Sequence, residues 1–221
     1  VIRMLSPRHS AAELQPSLAG LVSEWDQKGV ALLTGTSGIY FLAHLWQFQL
    51  VLKGLSIHTV DCAIRFDSYA IAEEALRNQV SPEDIHDKIT VSRCFTPYQI
   101  LDEMNHLLKL PQSTGRLNFI LAPSKQFFDG DVSRDESSFL LKKLSNLFAD
   151  FQKKSIPLMV VEKEAYPNPG FKSFFADIQK LAHPFFHLRL TEKKQEKHIK
   201  KFYSVRIVGT ENRHITGAQH G

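Results

Sequence analysis

The sequence predicts an α/β protein built on a doubly wound, mainly parallel sheet, and three observations carry that prediction. Apolar runs of strand length alternate five times with helical spacings, joined by short links. The first run, "VALLTG", is continuously apolar, as expected of a strand buried on both faces. Beyond Pro184 the alternation gives way to two strand-like runs around a lysine-rich turn.

Residues 11–28 have helical spacing, with Pro16 near the first turn and Gly29 as the stop. After "VALLTG", residues 39–53 are apolar almost all round, which predicts a central buried helix ended by Gly54. "LSIHTVDCA" reads as the second strand and "SYAIAEEALRNQ" as a helix following Asp67. "DKITVSR" is the third strand. "TPYQILDEMNHLLKL" is a helix with Thr96 as cap and Pro97 at its first position. "RLNFILA" is the fourth strand, residues 133–154 a long amphipathic helix, and "IPLMVVE" the fifth strand. "FFHLRLTE" and "KFYSVRIVG", separated by "KKQEKHIK", read as a C-terminal antiparallel β-hairpin. The organisation is thus an N-terminal helical segment (1–28) packed on a single core (29–221).

Composition excludes several classes. No apolar run reaches the roughly 20 residues of a membrane span, and the start carries no secretory signal, so a cytoplasmic, intracellular protein without membrane contact is expected. Cys62 and Cys94 are too few for a disulfide framework and lack metal-ligand spacing. The net charge is +4, unevenly spread: residues 151–221 hold 13 Lys/Arg against 6 Asp/Glu, and the first 150 hold 14 against 17. A basic C-terminal third suits an anionic partner or a solvated lysine surface.

Taken in order, these segments resemble the RecA/RadA recombinase superfamily over roughly residues 20–215. "LLTGTSG…FLAHL" is similar to its strand, phosphate loop and first helix. Arg65-Phe66-Asp67 after the second strand and Phe95-Thr96-Pro97 after the third are the more specific segments. "RLNFILAPSKQFFDGDVSRDESSFLLKKL" and "IPLMVVEKEAYPNPG" resemble the fourth and fifth strands with the loops that follow. The resemblance implies a RecA-like three-layer core.

The chemistry that such a core performs needs particular groups. A loop of the form G-x-x-x-x-G-K-[ST] gives backbone amides to phosphates, a lysine to the β/γ charge and a hydroxyl to magnesium. Here Gly35, Thr36, Ser37 and Gly38 keep the amides, but Ile39 and Tyr40 follow. Counted without a gap, the last three positions are Tyr40, Phe41 and Leu42; with a two-residue deletion they are Gly38, Ile39 and Tyr40. Neither alignment holds a lysine. By the resemblance, the acid ending the fourth strand falls at Ala122 or Pro123, the water-polarising glutamate at Ala63, and the polar sensor at Glu162 or Lys163. Phosphoryl transfer depends on compensating the triphosphate charge, so the reading is a pseudo-ATPase with a degenerate Walker A loop. No cofactor and no ATP binding are expected.

Other constellations are weaker. His183 and His187 have i, i+4 spacing but Pro184 between them and no acidic or thiol ligand beside them. His58 and Cys62 on one strand lie about 13 Å apart, too far for a nucleophile pair. Asp129, Asp131, Asp135 and Glu136 lack cation-loop spacing. For DNA, single- or double-stranded, the candidate contacts are Lys125 with Phe127 and Phe128, then Lys163, Tyr166, Lys172 and Phe171, extended by Lys193 and Lys194. Basic residues interleaved with aromatics suit phosphate contact and base stacking; aromatics packed under the loops are the alternative. The expectation is a non-catalytic accessory or adaptor in DNA recombination or repair. Its partner would be a RecA/RadA-type recombinase or another RecA-like subunit. The competing readings are a nucleotide-binding sensor without hydrolysis and an enzyme of unrelated chemistry at the strand ends.

Overall fold

The computed structural model describes residues 2–5, 25–111, 115–128, 132–165, 168–195 and 198–208. Six strands run parallel in one sheet: β1 (Val30–Gly35), β2 (Ser56–Asp61), β3 (Ile89–Arg93), β4 (Arg116–Leu121), β5 (Leu158–Lys163) and β6 (Phe185–Gln195). Their order across the sheet is β6-β1-β5-β4-β2-β3. Parallel neighbours need crossovers, and each crossover carries helix: α1 (Ile39–Leu52), α2 (Ser68–Arg77), α3 (Pro82–His86), α4 (Pro97–Lys109), α5 (Arg134–Lys153) and α6 (Pro169–Leu181). Among the described residues, no helix is long and apolar enough to cross a membrane.

Alternation of side chains along the strands sorts the core into two layers. Ala31 and Leu33 of β1, Phe119 of β4 and Val161 of β5 face α1, α2 and α3. Val30, Leu32, Ile120 and Val160 face α4, α5 and α6. All six residues of β1 are buried, which is why its sequence is apolar without interruption. β3 closes one edge and is correspondingly half-exposed and polar. The sheet is therefore sandwiched between two helical layers, and the carboxyl ends of β1, β5, β4 and β2 lie side by side at one rim.

The helices begin where their caps say they should, with two exceptions. Thr96 accepts from Gln99 N, Ser133 from Glu136 N, Asp67 from Tyr69 N and Ala70 N, and Asn168 from Gly170 N. Two helices start without a side-chain cap hydrogen bond: the short α3, on Ser81, and α1, on Gly38 in the left-handed conformation at φ 77. Two helices differ from the sequence expectation. α3 has five residues, too few to show a period. α6 is a helix to which the sequence reading assigned no element: Asn168 is its cap, Pro169 its first residue, and Phe171, Phe174, Phe175 and Ile178 its buried stripe.

Residues 11–24 of the expected N-terminal helix lie outside the described residues, Trp25–Lys28 form no helix, and Ile2–Leu5, within the segment expected to be helical, is a short strand. Trp25 itself is buried in the α1-side core. The start of β1 is held by α5: Gln152 Oε1 accepts from Val30 N at 2.6 Å. At Gly29, φ 62, a Cβ would lie 2.4 Å from that same oxygen. Glycine therefore serves both the backbone conformation and the close approach of the amide.

Replacing Gln152 by Ala leaves the Val30 N–H without its partner at the mouth of the central strand. The expected cost is about 1–3 kcal/mol in urea-induced unfolding, with faster hydrogen exchange at the Val30 amide.

Candidate functional site

The rim formed by the carboxyl ends of the strands is where an open α/β sheet places its ligands. β1 ends at Gly35 and α1 begins at Ile39, so Thr36, Ser37 and Gly38 are the whole connection. Gly35 is the register partner of Leu188 in β6, and a Cβ on it would sit 2.3 Å from the Leu188 carbonyl oxygen and 3.1 Å from Ile39 Cγ2. Ile39 is fully buried in the α1-side core. Tyr40 is half-buried and reaches beyond the turn, where the Arg65 guanidinium stands over its ring at 5.5 Å. Thr36 is exposed, and Ser37 and Gly38 are half-buried.

β2 ends at Asp61, which is buried. Its Oδ1 accepts from Arg65 N at 2.8 Å and Ala63 N at 3.3 Å, and Oδ2 from Phe66 N at 3.1 Å. One carboxylate thereby meets three backbone donors and moulds the loop from Cys62 to Phe66 around itself. Ala63, at the position the resemblance assigns to a glutamate, contributes its amide to this ring of donors. Next along the chain, Asp67 N donates to His44 Nε2 at 3.2 Å, so that imidazole carries its proton on Nδ1. Burial pushes the His44 pKa down to about 4 against the opposing charges of Asp67 and Asp61.

β4 ends beside Ala122, which is buried and left-handed at φ 52. Past it, the Ser124 amide donates to Glu162 Oε2, and Lys163 N donates to Glu162 Oε1, each at 2.9 Å. Glu162, one of the two residues to which the resemblance assigns the sensor, is fully buried at the end of β5. Burial raises its pKa to about 7, with the two amides pulling the other way. This group was not legible in the sequence as a perturbed acid, because its surroundings come from β4 and β1, whose Thr34 is its strand neighbour.

The candidate DNA contacts separate into two sets. Lys125 lies in a 3₁₀ turn after β4 and Lys163 ends β5, the neighbouring strand, so the two share one stretch of the rim. Lys172 is exposed on the first turn of α6. Tyr166 and the side chains of Lys193 and Lys194 lie outside the described residues. The aromatics expected to accompany these lysines turn inward: Phe127 and Phe171 are buried, and Phe128 packs edge-on against Phe171 at 6.4 Å between centroids. Base stacking by those three rings is therefore corrected to core packing.

The remaining constellations resolve similarly. His58 Nε2 lies 2.9 Å from Glu103 Oε1 and 3.2 Å from Ser92 Oγ, an arrangement directed at α4 and away from Cys62. Both thiols are free and buried; burial raises the Cys62 pKa well above its ordinary value and that of Cys94 to about 11. Neither is a thiolate at neutral pH. His187 has an acidic partner the sequence reading did not see, Glu164 Oε2 at 2.6 Å, while His183 is exposed. Among the described residues, no three His, Cys, Asp or Glu side chains are grouped to hold a metal ion. Of the acidic cluster, Asp129 and Asp131 lie outside the described residues, and Asp135 and Glu136 occupy the first turn of α5. No protein-family model matches this chain, and comparison with curated proteins finds no match either.

The pH response of the rim follows from Glu162. Its folded pKa is raised, so its stabilising contribution is complete below about 4.5 and is lost as pH rises through about 7. His44 acts in the opposite sense, losing stability as pH falls from 6.5 toward about 4. Substituting Glu162→Gln isolates the first effect. Between pH 5 and pH 8 the stability of the variant relative to the parent should rise by about 2–3 kcal/mol in chemical denaturation.

Proposed function

We propose that this chain is a non-catalytic RecA-like protein, an intracellular accessory or adaptor in DNA recombination or repair that works through contacts with a recombinase or another RecA-like subunit and with DNA. The observation that carries the reading is the three-residue link between Gly35 and Ile39, which runs directly into the fully buried Ile39. A loop that cradles a triphosphate needs several consecutive amides turned toward one centre and a lysine beside them. Here the turn is too short to encircle a phosphate. The position of the lysine is taken by Ile39 in the shortened alignment, or by Phe41 in the full-length one.

The other assigned positions point the same way. Ala122 and Ala63 offer only backbone, and Glu162 is committed to two amides at the end of β5. The reading also includes the C-terminal antiparallel hairpin. Its support is an unbroken run of backbone partners between β6 and a following strand, β7 (His198–Val208), from Phe185↔Val208 to Gln195↔His198. For DNA, Lys125 and Lys163 on one stretch of the rim, with Lys172 nearby in sequence, supply phosphate contacts.

Calorimetric titration with ATP and ADP, with and without Mg²⁺, tests the reading. The expected result is no phosphate release and no magnesium-dependent binding. Magnesium-dependent association tighter than about 10 μM, or about 7 kcal/mol, would sink it.

A further inference from the structure

The combination of cations and exposed rings that the sequence suggested for the ends of β4 and β5 occurs instead at the ends of β2 and β3. A cleft of about 520 Å³ opens there, between the first turns of α1, the loop from Ile64 to Tyr69, and Arg93 at the end of β3. That volume lies in the range of ligand sites. Tyr40, Phe66 and Tyr69 present rings to it, and Arg65 and Arg93 present guanidiniums. Tyr69 is 82% exposed, so its ring is available to stack on a ligand. Past Arg93, the half-exposed rings of Phe95 and Tyr98 continue the aromatic surface.

The charge of the cleft is left available by the way its acids are used. The Asp61 carboxylate is directed at three loop amides and the Asp67 carboxylate at Tyr69 N and Ala70 N. Among the described residues, neither Arg65 nor Arg93 has a carboxylate within ion-pair distance. The loop also holds Ile64 at φ 53 with its side chain 67% exposed. A β-branched residue in that region is strained by about 1–3 kcal/mol, and exposure returns nothing in packing. The Asp61 hydrogen bonds hold this strained loop at the lip of the cleft.

We propose that the cleft seats one nucleotide of a single-stranded nucleic acid, with its base against the aromatic wall and its flanking phosphates on Arg65 and Arg93. The planar fork of a guanidinium matches phosphate oxygens, and an exposed ring accepts the face of any base. The proposal deepens the DNA-contact part of the function proposed above and rests on it.

Anisotropy titrations of a labelled oligothymidylate at about 50 and about 200 mM salt test it, with circular dichroism confirming that each variant is folded. Combining Arg65→Gln with Arg93→Gln should weaken binding at least tenfold and reduce the slope of log K against log salt by about 1.4. Lysine at both positions should restore the slope. Tyr69→Ala should weaken binding by about fivefold or more with the slope unchanged. If the arginine variants bind like the parent while Lys125→Gln, Lys163→Gln and Lys172→Gln lose binding, the cleft proposal falls and the DNA reading stands on the other loops. Absence of binding by the parent chain overturns both. Equal displacement of the oligonucleotide by a glutamate–tyrosine copolymer would assign the cleft to an acidic protein segment and overturn the nucleic-acid assignment.

Discussion

Complete burial of β1 is the constraint from which the rest of the molecule follows. A strand with no solvent-facing residue must be covered on both sides, so α1 has to lie on one face and α5 and α6 on the other. That demand explains why α1 is apolar around its whole circumference, since it packs on the sheet beneath and against α2 and α3 beside it. It also explains the short turn at Gly35. A helix that must return immediately onto its own strand has no slack to spend on a wide loop. Burial of the backbone of β1 extends the same requirement to its first amide, which finds its acceptor on α5 rather than in water.

Two buried carboxylates show how one rim can use the same group in two ways. Asp61 turns the chain: three amides converge on it, and the loop geometry, the cap of α2 and the acceptor role of His44 are arranged around that convergence. Glu162 meets two amides, and its burial raises its pKa to about 7. One carboxylate shapes its own loop, and the other ties the turn after β4 to the end of β5.

Much of the fold was readable because its signals were local. "VALLTG" and "RLNFILA" declare strands by continuous apolarity, and Thr96-Pro97 declares a helix start. α6 was hidden because Asn168, Pro169 and Gly170 are turn residues in isolation and become a cap and first turn only when the phenylalanine stripe behind them has a core to enter. The site was less legible. The residues of the turn, Gly35 to Tyr40, could be named in advance. The pairings His58–Glu103 and His187–Glu164 could not, since their partners are 45 and 23 positions away in the chain. The cleft draws on α1, the β2–α2 loop and β3, three segments that no spacing rule connects. Phe127, Phe128 and Phe171 misled because composition cannot say which way a ring faces.

His44 at the back of that cleft has one more effect. It gives its lone pair to a backbone amide and stays uncharged until about pH 4. The imidazole consequently adds no charge to this end of the sheet at neutral or mildly acidic pH, and any partner gained or lost with acidity in that range responds to some other group.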